Sequence, residues 1–221
     1  MIKATAFALA LVAAALYPLS PAMAQTADIA AGHNAAAMCI GCHGIQGYQA
    51  SFPEVYKVPK ISGQNKEYIA ASLNAYKKGE RKHPTMRGIA GPLSDGEIAN
   101  LAAFYEQDGA TLVKPVSDAP TAAPNAEVAA LLTKGACVSC HGTNFSKPIS
   151  AAYPKIAGQN ADYLYAALRA YGTEKNPQVG RANGIMGAQV KPYSRKELKA
   201  MADYIGSLPG ELRVVPQNRF R

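Results

Sequence analysis

Hydrophobic positions recur at helical spacing in two stretches 100 residues apart. Behind Ser94, the residues Ile98, Leu101, Ala102 and Tyr105 fall at i, i+3, i+4 and i+7, and Leu198, Met201, Ala202 and Ile205 repeat that stripe behind Ser194. Ser94 with Glu97, and Ser194 with Glu197, have the spacing of a capping box, so a helix is predicted to start at each. Two more helices are predicted behind Asn65 and Asn160, which are read as their caps. Ile69, Leu73 and Tyr76 share one face of the first, and Leu164, Leu168 and Tyr171 one face of the second. A third, alanine-rich pair runs into the cysteines near 39 and 137. No stretch alternates convincingly between apolar and polar residues, so the predicted class is all-α. The stretches 44–64 and 79–93 are left as long loops, which in so small a unit commonly carry function.

The stripes belong to a duplication. Cys39–Ile40–Gly41–Cys42–His43–Gly44 recurs as Cys137–Val138–Ser139–Cys140–His141–Gly142, an offset of 98. Val58–Pro59–Lys60–Ile61–Ser62–Gly63–Gln64–Asn65 recurs as Tyr153–Pro154–Lys155–Ile156–Ala157–Gly158–Gln159–Asn160, an offset of 95. Met86 recurs at Met186 and the Ser94 box at Ser194, both at 100. Between the copies, 113–125 carries Pro115, Pro120 and Pro124 among Ala, Ser and Thr, the composition of a semi-stiff linker. Two domains are therefore expected, 25–112 and 126–221. Units this small bury too little core to be stable without a staple.

Composition narrows the setting. With 48% hydrophobic and 17% charged residues, the chain reads as globular rather than disordered. No uncharged apolar run reaches the ~18–20 residues of a membrane span, which leaves peripheral membrane association open. Residues 1–24 join one early charge, Lys3, to an apolar middle and the triplet Ala22–Met23–Ala24, the pattern of a secretory signal peptide cleaved after Ala24. An export signal makes nucleic acid an unsuitable partner for the formal charge of +8 and puts the cysteines where thiols are usually covalently occupied.

All four cysteines fall in Cys-x-x-Cys-His, the attachment signature for covalent c-type heme. On a helix, positions i, i+3 and i+4 share a face, so Cys39 and Cys42 (Cys137 and Cys140) reach the porphyrin while His43 (His141) meets the iron. Zinc knuckles usually lie closer together than these motifs, a thioredoxin-like site expects strands nearby, and structural disulfides need no histidine. Two covalent heme c groups are the expected cofactors. Of the methionines beyond the signal, Met201 aligns with Leu101 in the apolar stripe and Met38 abuts the motif, so both are read as packing. Met86 and Met186 pair across the copies in glycine-rich loops and are the expected axial ligands, the usual arrangement for electron transfer. His83 is a rival ligand, but its counterpart is Asn183; His33 aligns with Leu131.

These twin motifs resemble the diheme cytochrome c4 family over essentially the whole chain beyond the signal. The resemblance implies two class I cytochrome c domains, each of three to five helices around its heme, facing each other in the periplasm. It implies that the carbonyls of Pro59 and Pro154 hold the ligand histidines. It also implies electron flow from a quinol-oxidising complex to a terminal oxidase. The stretch around 48–56 is longer than its second-copy equivalent.

Charge is one-sided: 25–112 holds 8 basic and 8 acidic residues, 126–221 holds 13 against 6. Such a field steers encounter with an acidic partner surface. Arg81, Lys82, His83 and Arg87 are read as a second basic patch beside Met86, and the tail from Arg213 onward as mobile. Three function classes follow. The leading one is a non-enzymatic electron carrier, because both axial positions are filled. The second is the cytochrome subunit of a periplasmic dehydrogenase with a flavoprotein or quinoprotein partner. The third is a diheme enzyme, which needs an open or differently ligated heme.

Overall fold

A computed structural model describes residues 26–112 and 116–216. The signal-peptide reading of 1–24, linker positions 113–115 and the tail beyond 216 lie outside the described residues. The first half runs α1 (Ile29–Ala35), α2 (Ala37–His43), α3 (Lys66–Lys78), α4 (Pro84–Ala90) and α5 (Asp95–Gln107). The second repeats the order with α6 (Ala126–Lys134), α7 (Val138–His141), α8 (Ala161–Tyr171), α9 (Gly184–Val190) and α10 (Arg195–Ser207).

Both capping boxes form: the Ser94 hydroxyl accepts from Glu97 N while the Glu97 carboxylate accepts from Ser94 N, and Ser194 and Glu197 do the same. The stripes behind them are the two cores, with Ile98, Leu101 and Ala102 each 2% exposed and Leu198, Met201, Ala202 and Ile205 also buried. In the first half α5 is crossed by α1 at Gly32. A Cβ there would stand 2.1 Å from the Asn100 carbonyl oxygen and 2.9 Å from Phe104 Cβ, so only glycine permits the approach. Asn100 Oδ1 also accepts from Asp28 N at 2.7 Å, tying the start of the half to its end. In the second half α10 packs on α8 and α6, closing a core that includes Phe145, 1% exposed.

The all-α class holds, yet four two-residue strands occur among the described residues: β1 (Gln49–Ala50), β2 (Tyr56–Lys57), β3 (Arg81–Lys82) and β4 (Gly180–Arg181). Strands β1 and β2 close the extra 48–56 stretch of the first half into a hairpin. Strand β3 pairs with β4 across the halves, Arg81 opposite Arg181. Two residues are too few to leave an alternating pattern.

Asn65 and Asn160 stand at the N-cap positions of α3 and α8, but neither side chain caps its helix. Their amides cross the seam instead, Asn65 Nδ2 donating to Tyr153 O at 3.0 Å and Asn160 Nδ2 to Val58 O at 2.9 Å. The described part of the linker is fastened to the second half, through Asn144 Nδ2 to Ser117 O, the Lys147–Asp118 ion pair, and the Tyr204 hydroxyl to Ala122 O. Arg213, read as the start of a mobile tail, is bridged instead to the first half, its N–H donating to Ser62 O at 2.9 Å.

Candidate functional site

Each cysteine motif sits at the end of a short helix. Cys39, Cys42 and His43 belong to α2; Cys137 precedes α7, which carries Cys140 and His141. In both copies the histidine ring is held from behind, His43 Nδ1 donating to Pro59 O at 2.8 Å and His141 Nδ1 to Pro154 O at 3.1 Å. That bond places the proton on Nδ1 and leaves the Nε2 lone pair free, the tautomer a metal ligand requires. Burial pushes both imidazoles below their ordinary pKa, so they stay neutral. It also pushes the thiols of Cys39 and Cys137 up, so they stay protonated and apolar.

The methionine loops contain a seven-residue helix each, and Met86 and Met186 occupy the same place on them. His83 caps α4, its Nδ1 accepting from Met86 N at 3.3 Å; Asn183 caps α9, its Oδ1 accepting from Met186 N at 2.9 Å. The His83–Asn183 correspondence therefore has a structural reason: both residues hold the methionine's own backbone. The His83 ring further lies edge-on to Tyr56 and Tyr76, with centroids 6.4 Å and 6.5 Å away. Met201 is core, as its alignment with Leu101 predicts. Met38, read as packing, is 68% exposed and stands at the rim of the cavity described next.

In the first half Cys39, Cys42, His43 and Met86 line one cavity of about 340 Å³, walled by apolar residues such as Ile61, Leu73, Ile89 and Leu93. Pro154, Gln159 and Tyr163 of the second half also line it, so it opens on the seam. Cavities of this size and lining hold organic cofactors.

A polar cluster that the sequence did not assemble adjoins the cavity, whose lining includes its Arg81, Tyr76 and Tyr163. Arg81, read as part of a basic patch beside Met86, lines the same cavity as Met86 and lies between the halves; Lys82 and Arg87 are the exposed members of that patch. The Arg81 guanidinium stands over Tyr76 at 4.7 Å and that of Arg181 over Tyr171 at 5.3 Å, and both reach the Tyr163 hydroxyl, at 3.3 Å and 3.0 Å. Among the described residues neither arginine forms an ion pair, and Arg81 Nε has no hydrogen-bond partner. Burial would raise the Tyr163 phenol, but Arg181 and Arg81 outweigh it and bring the group down to about 8. Two clustered cations without a counterion fit a cofactor that carries carboxylates, as heme does. The signal that could have found them was the repeat itself: Tyr68 and Tyr163, Tyr76 and Tyr171, and Arg81 and Arg181 recur at offsets of 95, 95 and 100.

The family model described as cytochrome c matches residues 29–107 and again 126–209. Cytochrome c4 of Azotobacter vinelandii is 30% identical over 192 residues, 82% of this chain and 89% of that protein. A thiosulfate dehydrogenase electron acceptor of Stutzerimonas stutzeri is 33% identical over 187 residues, covering 80% and 82% of the two chains. The solved cytochrome c4 of Acidithiobacillus ferrooxidans superposes with a TM-score of 0.58 at 26% identity, over 78% of this chain and 99% of that one. Two cytochrome c units, two Cys-x-x-Cys-His motifs and relatives aligned along both halves make this chain a member of the diheme cytochrome c4 family, an electron carrier with two covalent heme c groups.

Proposed function

We propose that the mature chain works in the periplasm, after cleavage behind Ala24, as a two-domain carrier passing electrons from a quinol-oxidising complex to a terminal oxidase. In this reading Cys39 and Cys42 anchor one heme and Cys137 and Cys140 the other. His43 with Met86, and His141 with Met186, would hold the two irons, and the domains are 25–112 and 126–221. The observation that carries it is the doubled construction of the site: in each copy a proline carbonyl orients the histidine and an N-cap holds the methionine. Each heme, when bound, supplies a reversible one-electron couple at its iron.

The chain's own residues set the conditions of that couple. The apolar cavity wall excludes water, the thioethers of Met86 and Met186 favour the reduced iron, and Arg81 and Arg181 would offset the heme carboxylates. With a histidine and a methionine given to each iron, no coordination position would be free for a substrate, which supports a carrier over an enzyme. Lys191, Arg195 and Lys196 are exposed just beyond α9 and give the second half a basic face toward an acidic partner.

A second reading is favoured by the likeness to the thiosulfate dehydrogenase electron acceptor. In it, the chain takes electrons from a periplasmic dehydrogenase rather than a quinol-oxidising complex. Stopped-flow reduction of the oxidised protein by each donor separates the two, the faster donor at physiological salt being the partner. The ligand set is tested by the sulfur-to-iron charge-transfer band of the oxidised form. Met86→Ala and Met186→Ala should each remove the band of one heme; a band that survives in both overturns the assignment.

A further inference from the structure

The peptide that orients each histidine is gripped by the opposite half. The carbonyl of Pro59 accepts the His43 ring proton, and the N–H of the same peptide unit, that of Lys60, donates to Gln159 Oε1 at 2.9 Å. Gln159 Nε2 returns a bond to Lys60 O at 2.8 Å. The arrangement is mirrored: Pro154 O accepts from His141, Lys155 N donates to Gln64 Oε1 at 2.9 Å, and Gln64 Nε2 donates to Lys155 O at 2.9 Å. Gln64 and Gln159 are 5% and 4% exposed, so water cannot substitute for either amide.

An amide whose N–H is engaged has a more negative carbonyl oxygen and accepts more strongly. A stronger acceptor on the ring N–H gives the imidazole more anionic character, which stabilises oxidised over reduced iron. We infer that Gln64 and Gln159 are positioning residues that tune the heme of the other domain, each through the proline peptide behind that domain's histidine. The inference rests on His43 and His141 being the iron ligands. Its consequence is that the two domains do not hold independent potentials: separating them loosens both histidines' acceptors at once.

The magnitude follows from hydrogen-bond cooperativity. Strengthening of ~10–30% per bond on a bond that responds to iron charge gives a change on the order of threefold in the ratio of reduced to oxidised heme. At 59 mV per decade that is ~28 mV.

The experiment is a redox titration of the holoprotein carrying Gln159→Met, with the two hemes resolved by the hyperfine-shifted ring protons of their histidines in paramagnetic NMR. The heme bound at His43 should rise in potential by about threefold in that ratio, while the heme at His141, in the domain that carries Gln159, stays put. Gln64→Met should do the converse. Gln159→Glu, which keeps an acceptor for Lys60 N, should leave the His43 heme at or below its original potential. Asn160→Ala removes a seam bond to Val58 O, on a peptide unit that does not serve the histidine, and should move neither heme. The inference is overturned if Gln159→Met shifts both hemes together or only the one in its own domain, if Gln159→Glu raises the potential, or if Asn160→Ala matches Gln159→Met. An intact sulfur-to-iron band with unmoved potentials defeats the inference alone; a ligand assignment in error shows itself in that band and in displaced histidine resonances.

Discussion

Replacing Asn183 with alanine deletes one hydrogen bond, from Met186 N to Asn183 Oδ1, and little else, because the side chain touches no other described partner within hydrogen-bond reach. Helix α9 has seven residues, so this cap is a large share of what closes its first turn. Loss of an Asn cap costs ~1 kcal/mol. If the turn bearing Met186 opens locally, without the rest of α9 and α10, the cost falls entirely on that opening. With Met186 as the proposed iron ligand, a 1 kcal/mol change is then about a fivefold rise in the population in which its thioether would be away from the iron. Binding of an external ligand such as cyanide or imidazole to the oxidised protein reads that population directly, since the ligand waits for the methionine to leave. Asn183→Ala should raise the association rate about fivefold at the heme bound by Cys137 and Cys140, and leave the other heme as it was. Asn183→Ser, which restores a capping oxygen, should return the rate to near its original value. Equal rates in the alanine and serine variants, or a rise at both hemes, would refute the role given to the cap.

Three further outcomes are expected. His83, the cap of the other methionine helix, is pushed below its ordinary pKa of 6.5 by burial and by the nearby arginines. The folded state thus prefers the neutral ring, so the stability of the Met86 turn is whole above the unfolded pKa and is lost as pH falls below it. Acid titration should bleach the sulfur-to-iron band of the first heme before the second, and His83→Asn should abolish the difference. Gly142 has φ of +79° and a Cβ there would lie 2.0 Å from the Lys147 carbonyl oxygen, so Gly142→Ala must displace the backbone next to His141. A loss of ~2–4 kcal/mol in denaturant unfolding is expected from the strain and overpacking together, and no measurable loss would count against the geometry. A chain prevented from taking up heme, by Cys→Ser at all four cysteines, leaves a cavity of about 340 Å³ walled by apolar side chains and should lose its near-ultraviolet circular dichroism while keeping much of its helix; retention of fixed aromatic signals would show that the halves fold without their cofactor.

The parts of the molecule legible from the sequence are those where one short segment carries its own instruction. The capping boxes at Ser94 and Ser194 and the stripes behind them could be placed because a helix's start and its buried face lie within a few residues of each other. Cys39, Cys42 and His43 could be read because a single helical turn brings them together. Met86 was harder, and only its recurrence at Met186 made it a ligand candidate rather than a packing residue. Asn65 and Asn160 show where local reading stops. The position was right, but the amide had a better partner in the other half, and nothing in its own segment records that. Arg81 shows the same limit: it was read together with Lys82 and Arg87, which are exposed, and only pairing with Arg181 takes it between the halves.

By itself, then, the order of residues determined that there are two helical units, that each is stapled to a heme, and which histidine and methionine in each are the candidates for the iron. Tertiary structure alone decided how the units meet: the Arg81–Tyr163 bond, the strand pair and the crossed glutamines join residues about 80 to 100 positions apart. The physical reason is range. Capping and helical periodicity act over three to seven residues and so leave a trace in the chain, whereas a hydrogen bond across a seam depends on where two folded surfaces come to rest, and a lone glutamine or arginine looks the same in sequence whether it faces water or another domain.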